Sequence, residues 1–393
     1  MKILIAHNRY KYAGGEDAVV QAECTLLKSY GNDVLLWELD NDSIVGIQGK
    51  LTAAFSAVYS STSRKQIAEK ISDFRPDVVH VHNFFPLLSP ALYDPCRDAN
   101  IPVVQTLHNY RLGCPKAMLF RDGKICEDCI NKAVPWSGVV NGCYRGSRLQ
   151  SAAVATMLTV HSLRGTWQNR VDAYIALTKF HKAKMVQAGL PEEKICIKPN
   201  FVLSPDSPSQ SSKSKNYALF VGRLSEEKGL ATLIDAYAQG NISIPLKIVG
   251  EGPMAEALHQ QVHNRGLGEA IAFLGRQSKA TVLELMYNSQ FLVFPSIWYE
   301  GFPLTIAEAF ACSLPVVAPK LGSMAEIVSD GITGLHFEAG NSLDLATKIN
   351  WAIANPDTIN AMGTNARCTY EAKYTPEANY KQLMEIYQQV TKL

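Results

Sequence analysis

Trp298-Tyr-Glu300-Gly301-Phe302-Pro303-Leu304-Thr-Ile-Ala-Glu308-Ala309 follows directly on the apolar run Phe291-Leu-Val-Phe-Pro295-Ser296. The order predicts a strand, a loop carrying one acid, and an amphipathic helix that carries a second acid and ends near Cys312. Pro303 suits the first helical position, where its missing N–H costs nothing. Glu300 then lies in the loop, and Glu308 lies inside the helix. The N–H groups from Gly301 through Phe302, Pro303 (which has none) and Leu304 to Thr305 surround the helix start, and such a terminus binds anions, phosphate above all. Two carboxylates flanking an anion cradle suit a nucleotide sugar, because carboxylates accept hydrogen bonds from ribose and hexose hydroxyls.

Working outward, strand-like runs alternate with helical runs on both sides of this stretch. In the second half the strands are Tyr217–Gly222, Leu246–Gly250, Ile271–Gly275, Gln290–Ser296 and Pro315–Lys320. In the first half they are Lys2–Asn8, Asp33–Asp40, Asp77–Asn83, Pro102–His108 and Ala173–Thr178. Runs this apolar, alternating with helices, imply parallel sheets buried on both faces. The Ser- and Pro-rich segment from Ser204 has no apolar periodicity and reads as a linker. The expected organisation is α/β: a Rossmann-like domain over 1–203, a linker over 204–216, a second doubly wound domain over 217–375, and a helix over 376–393 that returns to the first domain. Ligands of such sheets bind at the carboxyl ends of the strands, here facing a central cleft between the domains.

A chain of 393 residues is long for one core, which agrees with two domains. A net charge of +2 gives no global nucleic-acid signal. The amino terminus, Met1-Lys-Ile-Leu-Ile-Ala-His7, reads as a first strand and not as a signal peptide. No apolar run approaches the length of a membrane span. The expected location is therefore the cytoplasm. Nine cysteines, an odd number, argue against a fully disulfide-bonded framework.

Further motifs stand in a fixed order: Val221-Gly222-Arg223-Leu, Glu227-Lys228-Gly229, Gly250-Glu-Gly252-Pro253, Phe273-Leu-Gly275, Leu314-Pro315-Val-Val and Gly331-Ile-Thr-Gly334. Together with Glu300-x7-Glu308, they resemble the retaining glycosyltransferases of the GT-B fold, family 4, over nearly the whole chain. The resemblance implies transfer of a hexose from a nucleoside diphosphate sugar to a hydroxyl of a glycan or lipid-linked acceptor. A polyprenyl-diphosphate-linked oligosaccharide in bacterial surface polysaccharide synthesis is the acceptor it suggests. It also implies that Glu300 and the residues after it meet the sugar, that Glu308 holds the ribose, and that Gly275 and Arg276 meet the base. His108 is implied to touch the donor sugar. No catalytic metal is implied, and Arg223 and Lys228 would take a metal's place, since fixed cations aimed at a departing diphosphate lower the barrier. The alternatives are a two-domain sugar-binding protein without catalysis and a GT-B epimerase.

Four other features carry expectations. Gly14 and Gly15 follow the first strand, and paired glycines permit positive φ and close approach of N–H groups to a diphosphate. His80 and His82 alternate on one strand and share a face; His82 is expected to help line the acceptor side and His80 to be structural. Cys114, Cys126, Cys129 and Cys143 are spaced Cys-x11-Cys-x2-Cys-x13-Cys in an expected insertion at about 111–146. That spacing is compatible with a structural zinc, with two disulfides or with four separate thiols. Residues 130–185 hold eight Lys or Arg against one acid, Asp172, with Leu149, Val154, Met157, Leu158 and Leu163 interleaved. This pattern fits either a peripheral contact with an anionic membrane surface or a core helix with a solvated basic face.

Overall fold

The computed structural model describes residues 1–9, 14–40, 56–204 and 216–391. It divides into two compact units: Met1–Leu119, Cys126–Asn200 and Asn379–Leu393 form the first, and Phe120–Ile125 with Phe201–Ala378 form the second. Most of the expected linker, 205–215, lies outside the described residues.

The first unit holds β1 (Lys2–Arg9), β2 (Asp33–Asp40), β3 (Val78–Asn83) and β4 (Val103–Thr106). A two-stranded hairpin, β5 (Phe120–Arg121) and β6 (Lys124–Ile125), follows and groups with the second unit. β7 (Ala173–Ala176) and β8 (Ile195–Ile197) complete the first sheet, whose order is β2-β1-β3-β4-β7-β8. Every pairing in it is parallel, with Ile3 beside Val34 and Val78. All of β3 is buried, as a strand covered by helices on both faces must be. Ile3, Ile5, Val20, Leu27, Val78 and Ile175 form its core. The last helix, Pro376–Thr391, lays Leu383, Ile386, Tyr387 and Val390 into that core. Burying such side chains stabilises by roughly 1.5–3 kcal/mol each.

The second unit holds β9 (Ala218–Val221), β10 (Leu246–Val249), β11 (Ile271–Phe273), β12 (Phe291–Val293), β13 (Val316–Pro319) and β14 (Gly334–Phe337). Their order is β11-β10-β9-β12-β13-β14, again all parallel. The order reverses between β9 and β12, so the loops leaving those two strands flank the switch point at which doubly wound sheets bind ligands.

The ten expected strands are present; β1 runs one residue further than expected, β2 has the expected bounds, and the other eight are shorter. His108 lies two residues past the end of β4, in the loop and not in the strand. Two short edge strands, β8 and β14, stand where none is expected. Pro303 is the N-cap (φ −74°, ψ 100°), and the helix begins one residue later, at Leu304–Ala311. A proline at the cap blocks nothing, since the cap residue is not yet helical.

Candidate functional site

In the second unit, the chain leaves β9 through Gly222, Arg223 and Lys228, and leaves β12 through Ser296, Trp298 and Glu300. Glycines let these loops close on each other. A Cβ at Gly229 (φ +67°) would stand 2.0 Å from the Pro295 carbonyl oxygen. One at Gly250 (φ +139°) would stand 1.8 Å from the Gly222 carbonyl oxygen. The motif glycines are thus the places where the loop after β9 meets those after β12 and β10. Backbone bonds finish the junction: Ile297 N donates to the Glu227 carbonyl at 2.9 Å, and Ser296 Oγ to the same oxygen at 3.1 Å.

Glu300 sits at the centre of this junction, 6% exposed. Its Oε1 accepts from Lys228 Nζ at 2.7 Å, Ser296 Oγ at 2.8 Å and Trp298 Nε1 at 2.8 Å. Lys228 Nζ also stands 5.5 Å from the ring centre of Phe294 and 5.8 Å from that of Trp298. Lys228 is therefore not a bare cation beside Arg223; its charge is already compensated by Glu300. Arg223 is exposed, and among the described residues no ion pair holds it. Glu308, on the helix after Pro303, pairs with Lys279, an ammonium that is 60% exposed. An exposed pair of this kind is weak and readily exchanged for another donor. Gly301, Phe302 and Pro303 are buried, while Leu304 is half-buried. Gly275 takes the left-handed conformation (φ +64°), and its carbonyl accepts from Gly250 N at 2.9 Å; Arg276 beside it is exposed.

In the first unit, Gly14 caps the helix Gly15–Ser29 in an extended conformation (φ −120°), and neither it nor Gly15 adopts positive φ. The positive φ that paired glycines permit is thus used at neither position. The preceding residues, 10–13, lie outside the described residues. Asp17 ties the cap down: its Oδ2 accepts from Gly14 N at 2.8 Å, and its Oδ1 lies 2.9 Å from His7 Nε2.

His80 and His82 are both buried, so His82 does not line an acceptor surface. Both face Glu23, which is 1% exposed: His80 Nδ1 and His82 Nε2 stand 3.2 and 3.1 Å from its Oε1. Lys198 Nζ stands 3.0 Å from the other oxygen, Oε2, and 3.2 Å from Asn379 Oδ1. His80 further contacts the Tyr387 hydroxyl at 2.7 Å and Thr106 Oγ1 at 2.8 Å. His82 Nδ1 reaches His108 Nε2 at 2.9 Å, with the two rings stacked. Burial pushes the Glu23 carboxyl up, but Lys198, His82 and His80 outweigh it and hold the group well below the usual range. Burial lowers His82 to about 3 and holds His108 well below the ordinary histidine value.

Among the described residues, Glu23, His80 and His82 are the group that brings three ligand atoms within 4.8 Å of one another. No disulfide joins the four clustered cysteines, and they do not form such a group at that distance, but Cys114, Cys143 and Cys126 all lie close enough to Cys129 to act on its charge. Cys114 is buried and the other three half-buried; burial first, and then the neighbouring Cys114, Cys143 and Cys126 thiols, raise Cys129 to about 11.

The basic segment divides in two. On the helix Arg148–Leu163, Val154, Met157 and Leu158 are core, whereas Leu149 and Leu163 are 83% and 81% exposed. Trp136 and Val140, on the short helix Trp136–Val140, are 65% and 60% exposed. Arg145, Arg148 and Arg164 are exposed beside them, while Arg170 and Lys184 are spent on Asp94 and Glu127. Among the described residues, no helix is long and apolar enough to cross a membrane.

Sequence reading missed Ser296, Trp298, Glu23, Lys198 and Tyr387. Ser296 and Trp298 stand inside the decisive stretch. Glu23 carries a readable signal, an acid on the apolar stripe Val19, Val20, Cys24, Leu27.

Known proteins resemble the chain on both halves. Residues 44–202 match the family model described as Glycosyltransferase Family 4, and residues 206–369 match Glycosyl transferases group 1. A glycosyltransferase of Methanocaldococcus jannaschii, described as uncharacterized, is 34% identical over 176 residues, 45% of this chain and 49% of its own. O-antigen chain mannosyltransferase C of Escherichia coli is 27% identical over 174 residues, 44% of this chain and 46% of its own. The chain thus spans about half the length of these curated relatives. The crystal structure of HepE from Anabaena in complex with UDP superposes with a TM-score of 0.70 at 20% identity, covering 99% of this chain and 100% of that one. The fold is GT-B, with two Rossmann-like sheets, and both halves carry glycosyltransferase family matches.

Proposed function

We propose that the chain is a retaining hexosyltransferase that moves a sugar from a nucleoside diphosphate to a hydroxyl acceptor without a catalytic metal. The observation that carries this reading is the junction at the switch point of the second sheet. There Glu300 is held by Lys228, Ser296 and Trp298, beside the helix start after Pro303 and the exposed Arg223. Such a site offers a fixed carboxylate for sugar hydroxyls and cations for a departing diphosphate. Glu308 exchanges its exposed Lys279 partner for the ribose. Gly275 and Arg276 approach the base, and Gly14 and Gly15 approach the diphosphate. His108 offers a ring nitrogen to the sugar. No carboxylate base is assigned to the acceptor; in the retaining reaction, the leaving phosphate oxygen takes its proton. The UDP complex of the Anabaena protein supports a nucleotide-sugar donor.

We take the acceptor to be a lipid-linked glycan of a bacterial surface polysaccharide; the O-antigen chain in the name of the mannosyltransferase relative supports the polysaccharide part of that reading. Exposed Trp136, Val140, Leu149 and Leu163 among Arg145, Arg148 and Arg164 suit a peripheral contact with an anionic membrane.

The test is a donor screen. Purified protein is incubated with UDP-, GDP- and ADP-hexoses and a polyprenyl-diphosphate-linked acceptor, and nucleotide release is scored. One donor should release nucleoside diphosphate in step with acceptor glycosylation. Saturable donor binding with no release across the panel would favour a binding protein.

A further inference from the structure

We infer that Glu23 is a positioning residue that acts through His82 to fix the tautomer of His108, leaving His108 Nδ1 bare as a hydrogen-bond acceptor for a ligand hydroxyl. The inference rests on the reading of His108 as a sugar-contacting residue, and it assigns that residue's chemical role.

The direction of each bond follows from the carboxylate. Glu23 is ionised, with Lys198 Nζ 3.0 Å from its Oε2, so its oxygens only accept. His82 Nε2 stands 3.1 Å from Glu23 Oε1, and a bare nitrogen there would set one lone pair against another. His82 therefore carries its proton on Nε2, although the contact is a close approach and not a well-aligned hydrogen bond. A neutral imidazole has one N–H, so His82 Nδ1 is an acceptor. Only His108 Nε2, at 2.9 Å, stands in position to supply its proton. His108 is then protonated on Nε2, and its Nδ1 is left with a lone pair. His108 is half-buried at the end of the chain of contacts, whereas Glu23 and His82 are buried.

The remaining charged and titratable neighbours preserve this order. His80 sets its Nε2 against the Thr106 hydroxyl and its Nδ1 against both the Tyr387 hydroxyl and Glu23 Oε1, so that one nitrogen donates and the other accepts, and His7 is engaged with Asp17. A divalent cation among Glu23, His80 and His82 would meet the Lys198 ammonium across one carboxylate, leaving the buried group strongly positive. That cost disfavours the metal reading of the same atoms. The consequence is chemical: a bare Nδ1 accepts from a hydroxyl and repels another acceptor, so the residue selects a sugar O–H in one orientation and does not act as an acid.

The test is long-range proton–nitrogen correlation on protein labelled with 15N-histidine at pH 7, with the His108 signals assigned by their loss in His108→Gln. The expected result is the Nε2–H tautomer in the wild type and a shift toward a mixture in Glu23→Gln. The double variant Glu23→Gln with Lys198→Met, which removes both buried charges together, should give the same mixture if the single variant folds poorly. Donor kcat/KM should fall by up to about tenfold in these variants, the scale of one hydrogen bond between neutral groups. A wild-type His108 carrying its proton on Nδ1, a tautomer indifferent to Glu23, or stoichiometric metal lost on Glu23→Gln would each overturn the inference. The spectra need no donor, so full activity in His108→Gln would instead sink the sugar-contact reading and leave the tautomer result standing.

Discussion

Lys228 Nζ and Glu300 Oε1 stand 2.7 Å apart, joined across 72 residues of chain. Neither group acts alone. Removing Lys228 leaves a nearly buried carboxylate held by two neutral donors, and removing the Glu300 charge frees a cation that the site normally neutralises. Lys228→Ala and Glu300→Gln should each lower kcat/KM by about a hundredfold, the scale of one preorganised electrostatic group. The double variant should fall well short of the product of the two losses, because the residues form one unit. A double-mutant cycle on donor kcat/KM measures this, and strictly multiplicative losses would contradict it.

Arg223 presents the opposite case. Its side chain is exposed and holds no ion pair among the described residues. Arg223→Ala should leave the melting temperature unchanged and lower kcat by about a hundredfold. EDTA should leave the wild-type rate nearly intact. Strict dependence on Mg²⁺ or Mn²⁺ is the result that goes against the cationic assignment.

Membrane contact is tested at four exposed apolar side chains. Leu149 and Leu163 lie fourteen residues apart on one helix, about 21 Å along its axis and nearly on the same face. The protein should co-sediment with anionic vesicles and release as salt rises, since exposed charges are screened beyond about 10 Å at 0.1 M salt. Trp136→Ser with Leu149→Ser should weaken binding without altering turnover of a water-soluble acceptor. Equal sedimentation with neutral and anionic vesicles would rule out the electrostatic part.

Stability should fall with acid before the carboxylates titrate. Burial lowers His82 to about 3 and His181 to about 4, the latter partly offset by the Asn109 backbone, and His108 is lowered too. Each is ordinarily near 6.5 when unfolded, so below that pH the unfolded chain binds protons that the folded chain does not. The stabilisation is complete above about pH 6.5 and is lost as pH falls toward 4 and then 3, by up to about 1.4 kcal/mol per pH unit for each histidine. Glu23, also lowered, adds loss in the same direction once pH drops below its unfolded value. Melting temperatures from pH 7.5 to 5 should therefore decline, and the decline should be shallower in His181→Leu. An identical slope in that variant would show that His181 does not titrate on unfolding.

How much of this was legible in the sequence depends on the range of the interaction. The strand–loop–helix order around Glu300 is local, and it stands as read apart from the one-residue shift that makes Pro303 a cap. The loop glycines are legible as turns, but their reason, backbone packed against backbone at Gly229 and Gly250, belongs to tertiary structure. The pairing of Lys228 with Glu300 and the convergence of Glu23, His82 and Lys198 join residues far apart in sequence, which no spacing encodes. The interleaved apolar residues of the basic helix looked alike in sequence. Burial separated Val154, Met157 and Leu158 from Leu149 and Leu163, because only the former lie on the stripe that faces the core.

The anomeric configuration of the product tests the central claim most directly. Proton NMR of the newly formed glycoside, with the donor found in the screen and EDTA present, reports it through the anomeric coupling. An α-configured donor should yield an α-glycoside, with nucleoside diphosphate released in equal amount. A β-glycoside, or hydrolysis of the donor with no glycoside formed, would contradict retaining transfer at the Glu300 site.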